Sequence, residues 1–397
     1  MSRARAALIL TGGGARAAYQ VGVMRAIAEM LPRGASSPFR IVCGTSAGAI
    51  NAAALAAGSD DYGSTVADLE AIWLRLQVSD IYRADFLYFL RRFGRWLLSF
   101  FPTRNSSASV ALLDNSPLAT LLGREIDFSA IRNRIGEGSL EALAITASSY
   151  LTGMSVSFCA AADDVAMWLR SQRVGILAEI SPIHLLASTA IPFVFPPVKI
   201  GDEYFGDGAM RQLAPTAAAL HLGAERILVI GAVRPGHNAA SGSPDVTPQS
   251  RSHPPSAAQI GSHALACIFA DALGTDLEKV QLVNVAARQI PPERLASSPM
   301  PLRNVELLVI TPSEPLEALA LDHLNALPPT LRIVLRRLGG TRAEGAGLLS
   351  YLLFDSAYCK ALIALGYRDA QERREELLRH LTFPEHITAA DVPPASR

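Results

Sequence analysis

The chain has 397 residues, 50% apolar and 18% charged, enough to bury one large core or two smaller ones. Its 36 lysines and arginines balance 36 aspartates and glutamates, so no global charge draws it to nucleic acid, and any attraction to a membrane must be local. The four cysteines, Cys43, Cys159, Cys267 and Cys359, lie far apart with no C-x-x-C spacing. That argues against a zinc site or a disulfide framework, fits a reducing compartment, and makes the cytoplasm the expected location. After the basic start, the first apolar run stops at Thr11, too short for a secretory leader. No run of about 18 apolar residues occurs, so no spanning helix is expected.

Ala6 to Leu10 is continuous and apolar, the pattern of a strand buried on both faces of a parallel sheet. It runs into Gly12-Gly13-Gly14-Ala15-Arg16, and the spacing of Ala17, Val21, Met24 and Ile27 predicts a helix to about Leu31. Three glycines between strand and helix offer backbone N–H groups to a negative charge. Two readings fit: an oxyanion hole for acyl transfer, or a dinucleotide fingerprint on Gly12, Gly14 and Ala17. The second needs an acidic residue about 20 positions on, at the end of the second strand. That strand ends instead in Cys43-Gly44-Thr45-Ser46.

There the apolar run Ile41-Val42-Cys43 meets Gly44-Thr45-Ser46-Ala47-Gly48, and an alanine-rich helix is predicted from Ala47 to Ala57. This is the G-x-S-x-G pattern in strand, turn and helix context. Ser46 is forced into a strained conformation, so its neighbours must be small, and Gly44 and Gly48 meet that need.

A helix through Thr65–Trp73 follows. Between residues 81 and 101, Phe86, Phe89, Leu90, Phe93, Leu97 and Phe100 fall at helical spacing, with Arg91, Arg92 and Arg95 on the other side and Trp96 at the border. This insertion reads either as an amphipathic surface for peripheral membrane contact or as a core-facing helix with a solvated arginine face. Residues 102–109 read as a polar linker, and Pro117 marks a helix start. Ala142–Ala147 and Ser155–Phe158 read as strands joined through Gly153. Asp163-Asp164 has no neighbouring ligands to complete a calcium or magnesium set.

Ile183 to Pro192 reads as a helix stopped by proline. Asp207 then lies between Gly206 and Gly208 after the aromatic pair Tyr204-Phe205, on a tight turn at a strand end. Aspartate there is often a cap of the local backbone. Glu225–Gly231 reads as a strand, 234–257 as a flexible loop, Ala257–Ala287 as helical and Val305–Thr311 as a last strand. Helices are expected from about Leu321, with a frayed tail after Thr388.

Four stretches taken together resemble the four blocks of patatin-like phospholipases of bacterial type, in order: Gly12-Gly13-Gly14-Ala15-Arg16, Gly44-Thr45-Ser46-Ala47-Gly48, Ala187-Ser188-Thr189-Ala190-Ile191-Pro192 and Asp207-Gly208-Ala209. The similarity spans roughly residues 6 to 232. Ser350-Tyr351-Leu352-Leu353-Phe354 also resembles the C-terminal half of bacterial members. The resemblance implies a three-layer α/β/α fold with a mostly parallel central sheet, an acyl hydrolase domain over 1–320 and a helical C-terminal region over 321–397. It implies a Ser46–Asp207 dyad, with Gly12, Gly13 and Gly14 as oxyanion-hole donors and Arg16, Gly44, Gly48 and Gly208 in support. The implied substrate is a phospholipid or lysophospholipid, with neither cofactor nor metal and with no nucleic acid as partner. A free carboxylate is a poor base for a serine hydroxyl, so Asp207 would need a desolvated site.

Three other readings remain at this point. A Ser-His-Asp esterase would recruit His263 or His323. A dinucleotide-binding protein would use the first glycine loop. A catalytically silent interaction protein could share the fold.

Overall fold

The computed structural model describes residues 5–83, 111–162, 165–233, 256–267, 272–290, 304–340 and 346–381. The aromatic insertion from residue 84 on, the 102–109 linker, Asp163-Asp164, most of the 234–257 loop and the C-terminal tail lie outside the described residues.

Among the described residues ten strands form one sheet: β1 Ala6–Leu10, β2 Ile41–Thr45, β3 Ala142–Ser149, β4 Ser155–Ala161, β5 Leu169–Arg170, β6 Arg173–Leu177, β7 Val198–Ile200, β8 Glu203–Asp207, β9 Arg226–Ile230 and β10 Glu306–Ile310. The order is β10-β9-β1-β2-β3-β4-β6-β5. The strands from β10 to β3 are parallel, and β4 returns antiparallel to β3. β8 runs antiparallel to the last residues of β3 and carries β7 on its outer side.

Alternation along the strands builds three layers. Leu8, Leu10, Val42, Leu143, Ile145, Leu228 and Ile230 share one buried cluster with residues of α1 (Ala18–Ala28) and α2 (Ala47–Ala57). Ala7, Ile9, Ile41, Cys43, Ala144, Ile227 and Val229 face a second cluster containing Ala218, Ala219, Leu222 and Leu273. Strands covered on both sides need no polar face, which is why they read as unbroken apolar runs. The chain therefore folds as a three-layer α/β/α sandwich.

The first face is completed from both ends of the chain. α3 (Tyr62–Arg75) flanks α2, and Asp61 caps it through Ser64 N–H at 3.0 Å. After α4 (Pro182–Ser188) and α5 (Leu316–Asp322), the chain enters α6 (Ala346–Leu352) and α7 (Ser356–Glu372). α7 crosses α1 with backbones nearly touching: a Cβ at Gly22 would meet Ile363 O at 2.0 Å, and one at Gly366 would meet Tyr19 O at 2.1 Å. Leu349, Leu353, Tyr358 and Leu362 belong to the same buried cluster as β1 and α1. Among the described residues no single helix is long and apolar enough to cross a membrane.

One element differs from the sequence reading. The helix expected to run to Pro192 ends at Ser188. Thr189 Oγ1 bonds back to Leu185 O at 2.9 Å, and the chain turns there, leaving Ala190 O to accept the Asp207 N–H. The helical stretch expected over Ala257–Ala287 is helical at Ala257–Ala266 and Ala272–Arg288, on either side of residues outside the described ones.

Candidate active site

Register positions the site. β1 pairs with β2 so that Leu10 faces Gly44. The chains leaving these strands, Thr11-Gly12 and Thr45-Ser46, therefore emerge side by side. On the other flank Thr45 faces Thr146 of β3, and the next β3 residue, Ala147, faces Asp207 of β8. β8 thus takes up the edge of β3 where β2 departs, which brings Asp207 beside Ser46.

Ser46 has φ 54 and ψ −132, one of two non-glycine residues with positive φ among those described. Such strain persists only where the surroundings hold it. Its N–H donates to Ser188 Oγ at 2.9 Å, and Ser188 Oγ donates to Thr146 O at 2.6 Å. The Ser46 hydroxyl donates to Asp207 Oδ2 at 2.6 Å. Asp207 Oδ1 accepts the Ala209 N–H at 2.9 Å, and the Asp207 N–H donates to Ala190 O at 2.9 Å.

Ser46 is 2% exposed and Asp207 1%. Burial pushes the Asp207 carboxyl up to about 7, against the downward pull of its bonds from Ser46 and Ala209. A carboxylate in this range is poised to exchange a proton with a hydroxyl near neutral pH. The Tyr150 ring lies over Gly206, where a Cβ would sit 2.5 Å from its hydroxyl. Its phenol is pushed upward by burial and by the Asp207 charge.

Gly44 and Gly48 pack the elbow. A Cβ at Gly44 would meet Ala49 Cα and Ala52 Cβ at 2.6 Å, and one at Gly48 would meet Leu10 O at 2.3 Å. Gly208 lies against Thr146 O, 2.0 Å from where its Cβ would stand. In the first glycine loop the N–H groups of Gly12, Gly13 and Gly14 have no acceptor among the described residues. Gly14 has φ 57, and Tyr351 O fills the space a side chain would need, at 2.3 Å. Arg16 points away into the protein, where its guanidinium is buried against Ser350 and Glu317.

Ser188 stands in the Ala187–Pro192 block with no task that the sequence names; its one signal there is a serine on an apolar helix just before a proline turn. Thr146 and Tyr150 carried none. Neither histidine considered for a triad joins the cluster: His263 Nε2 faces Cys267 Sγ at 3.7 Å, and the His323 ring lies 6.0 Å from that of Tyr358. The dinucleotide reading lacks its acid, because Ser46 follows β2 where the ribose partner would stand.

A three-layer α/β/α sandwich whose inner strands are parallel, with a strained serine turn at the end of one of them, defines an α/β protein. The chain belongs to the patatin-like phospholipase family, whose profile matches residues 8–220. Among solved structures it is similar to VipD from Legionella pneumophila, at 12% identity and TM-score 0.34, over 91% of this chain and 67% of that one. It is also similar to full-length ExoU of Pseudomonas aeruginosa in complex with SpcU, at 22% identity and TM-score 0.23, over 41% of this chain and 36% of that one. A comparison with curated proteins finds no match.

Proposed function

We propose that the protein is a serine lipid acyl hydrolase that cleaves fatty-acyl esters of phospholipids or lysophospholipids. The observation that carries this reading is the buried Ser46 Oγ–Asp207 Oδ2 contact of 2.6 Å, with three glycine N–H groups of the neighbouring loop that have no acceptor among the described residues. Asp207 takes the Ser46 proton as Oγ attacks the ester carbonyl. The carbonyl oxygen becomes an oxyanion held by N–H groups of the Gly12–Gly14 loop, a stabilisation of about 3 kcal/mol per donor. Collapse breaks the ester bond, and the leaving alkoxide takes the proton from Asp207. Water then attacks the acyl-enzyme, giving its proton to Asp207 and releasing the fatty acid as Ser46 recovers its own.

An apolar cavity of about 40 Å³ runs along α2 beside Ile50, Ala54, Leu69, Trp73, Leu118 and Phe354. Its apolar lining begins with Ile50, one helical turn beyond Ser46. The proposal places the protein in the cytoplasm, meeting the inner membrane surface through the 81–101 insertion.

The test is hydrolysis of a medium-chain p-nitrophenyl ester and a lysophospholipid, with chelator present, by wild type, Ser46→Ala and Asp207→Asn. Wild type turns over, and both variants lose nearly all activity while folded. If Asp207→Asn retains activity while Ser46→Ala does not, the base lies elsewhere and the dyad is rejected.

A further inference from the structure

Arg16 is 2% exposed and carries its charge into the protein beneath the first glycine loop. Its Nε and Nη2 both donate to Ser350 Oγ, at 2.8 and 2.6 Å. Nη2 also reaches Glu317 Oε1 at 2.7 Å and Gly347 O at 3.4 Å. The guanidinium lies 4.0 Å from the Tyr351 ring centroid. Ser350 Oγ accepts from Arg16 and donates its own hydrogen to Gly347 O at 2.7 Å, so this hydroxyl is engaged both as acceptor and as donor. Every partner comes from residues 317–351, outside the 8–220 stretch that matches the family profile.

The loop above this cluster is held at few points: Gly13 packs against Ala232, where an added Cβ would stand 2.5 Å from Ala232 Cβ, and Gly13 O accepts the Arg16 N–H at 3.2 Å. Before the glycines, Thr11 is fixed on both sides: its Oγ1 accepts the Ala232 N–H at 3.1 Å, and its carbonyl accepts Gln20 Nε2 at 2.8 Å. Gln20 is held in turn by Asn51 Nδ2 at 2.9 Å. After the glycines, Arg16 is the first side chain that is anchored, and between them Gly14 rests on the Tyr351 backbone. Three consecutive glycines have the largest backbone freedom to lose. Oxyanion donors act through being fixed before the charge develops. A loop of this composition keeps its N–H groups aimed only if both of its ends are pinned.

We infer that Ala346–Leu352 and Glu317 are a working part of the catalytic unit. Through Arg16 they fix the direction of the oxyanion-hole N–H groups, and Ser350 and Glu317 are positioning residues for acyl transfer. The inference rests on the hydrolase reading above and adds to it a task for the C-terminal region. Ser350→Ala removes the acceptor of two Arg16 bonds; Glu317→Gln keeps the size and a hydrogen-bond acceptor but removes the charge on a side chain that is 38% exposed.

The experiment measures kcat and KM for a monomeric p-nitrophenyl ester with the full-length wild type, Ser350→Ala, Ser350→Thr and Glu317→Gln. Assays run below the unfolding range of each variant, with melting followed in parallel. A trifluoromethyl ketone of the same chain length, which forms a tetrahedral adduct on the serine, reports the oxyanion hole directly. For Ser350→Ala the expected result is a fall in kcat on the order of 10- to 100-fold. KM stays within about twofold, ketone affinity falls in parallel, and Ser350→Thr recovers part of the loss by restoring the hydroxyl. If Ser350→Ala does not fold, Glu317→Gln carries the test, with a smaller fall of the same kind. Variants that melt earlier yet keep wild-type kcat and ketone affinity overturn the inference and leave the cluster as fold support. An inactive wild type, or an active Ser46→Ala, overturns the hydrolase reading itself and this inference with it.

Discussion

Ser46 and Asp207 stand 161 positions apart in the chain and 2.6 Å apart at Oγ and Oδ2. One edge of β3 joins them. β2 occupies that edge as far as the Thr45–Thr146 pair, and β8 takes it over at the Asp207–Ala147 pair. The carboxylate uses its two oxygens for different ends: Oδ1 caps the turn at Ala209 and Oδ2 receives the serine hydroxyl. The turn therefore locks the side chain while leaving one oxygen aimed at the elbow.

In the proposed mechanism the elevated Asp207 value sets the pH profile. Only the ionised carboxylate can accept the Ser46 proton, and burial holds its midpoint at about 7. kcat/KM for a neutral ester should therefore rise with pH and level off above an apparent pKa near 7, because this ratio reports the free enzyme. A profile already flat from pH 5 upward would show an ordinary carboxylate and reject the account of how burial makes Asp207 a base.

The same burial costs stability above neutrality. The folded value of about 7 exceeds the ordinary aspartate value of 3.8, so the native state holds a proton that the unfolded state has released between those values. The stabilising contribution is complete below about pH 4 and is lost as pH rises through 7. Asp207→Asn, with no charge to bury, should be more stable than wild type at pH 8 by on the order of a few kcal/mol, and nearly equal to it at pH 4. Urea midpoints at the two pH values check this; a variant less stable at pH 8 contradicts it.

Much of the layout is legible because the inner strands are buried on both faces. β1, β2 and β9 read as apolar runs, and the elbow follows from two glycines around a serine between strand and helix. The β3–β8 pairing is not legible: it joins residues far apart in sequence, and no local pattern in Tyr204-Phe205-Gly206 names its partner. The two readings of Asp207, as a backbone cap and as a partner for serine, could not be separated in the sequence because each uses a different oxygen. Ser350 gave no sign of its contact with Arg16, since a serine inside an apolar run looks the same whether its hydroxyl bonds its own helix or a guanidinium 334 positions away.

Ser188 ties the elbow to the sheet. It is fully buried, accepts the Ser46 N–H and donates to Thr146 O. Ser188→Ala leaves a buried N–H and a buried carbonyl short of these bonds, a loss of about 1–3 kcal/mol. It also frees Ser46 from one restraint on its positive φ, so kcat should fall about tenfold even where the variant is folded. Thermal melts together with kcat at a permissive temperature separate the two effects. An unchanged kcat would mean that α2 and the Gly48 contact alone fix the elbow.

One substitution should act with opposite signs at two helical glycines. At Gly48 an added Cβ would stand 2.3 Å from Leu10 O and 2.6 Å from Thr11 O, both backbone atoms of the strand end that feeds the first glycine loop. Neither can swing aside as a side chain could, so Gly48→Ala must push α2 away from β1. The expected loss is at least about 1–3 kcal/mol, with activity falling further because the elbow and the glycine loop separate. At Gly123, inside the helix Ser116–Glu125, nothing lies within 4 Å of the added Cβ. There the substitution only removes backbone freedom from the unfolded chain and should stabilise by about 0.5–1 kcal/mol, with activity intact. Denaturant midpoints of the two variants decide the matter. A Gly48→Ala protein as stable as wild type would mean that α2 and β1 are not packed backbone to backbone, and the side-by-side exit of Ser46 and the glycine loop would lose its basis.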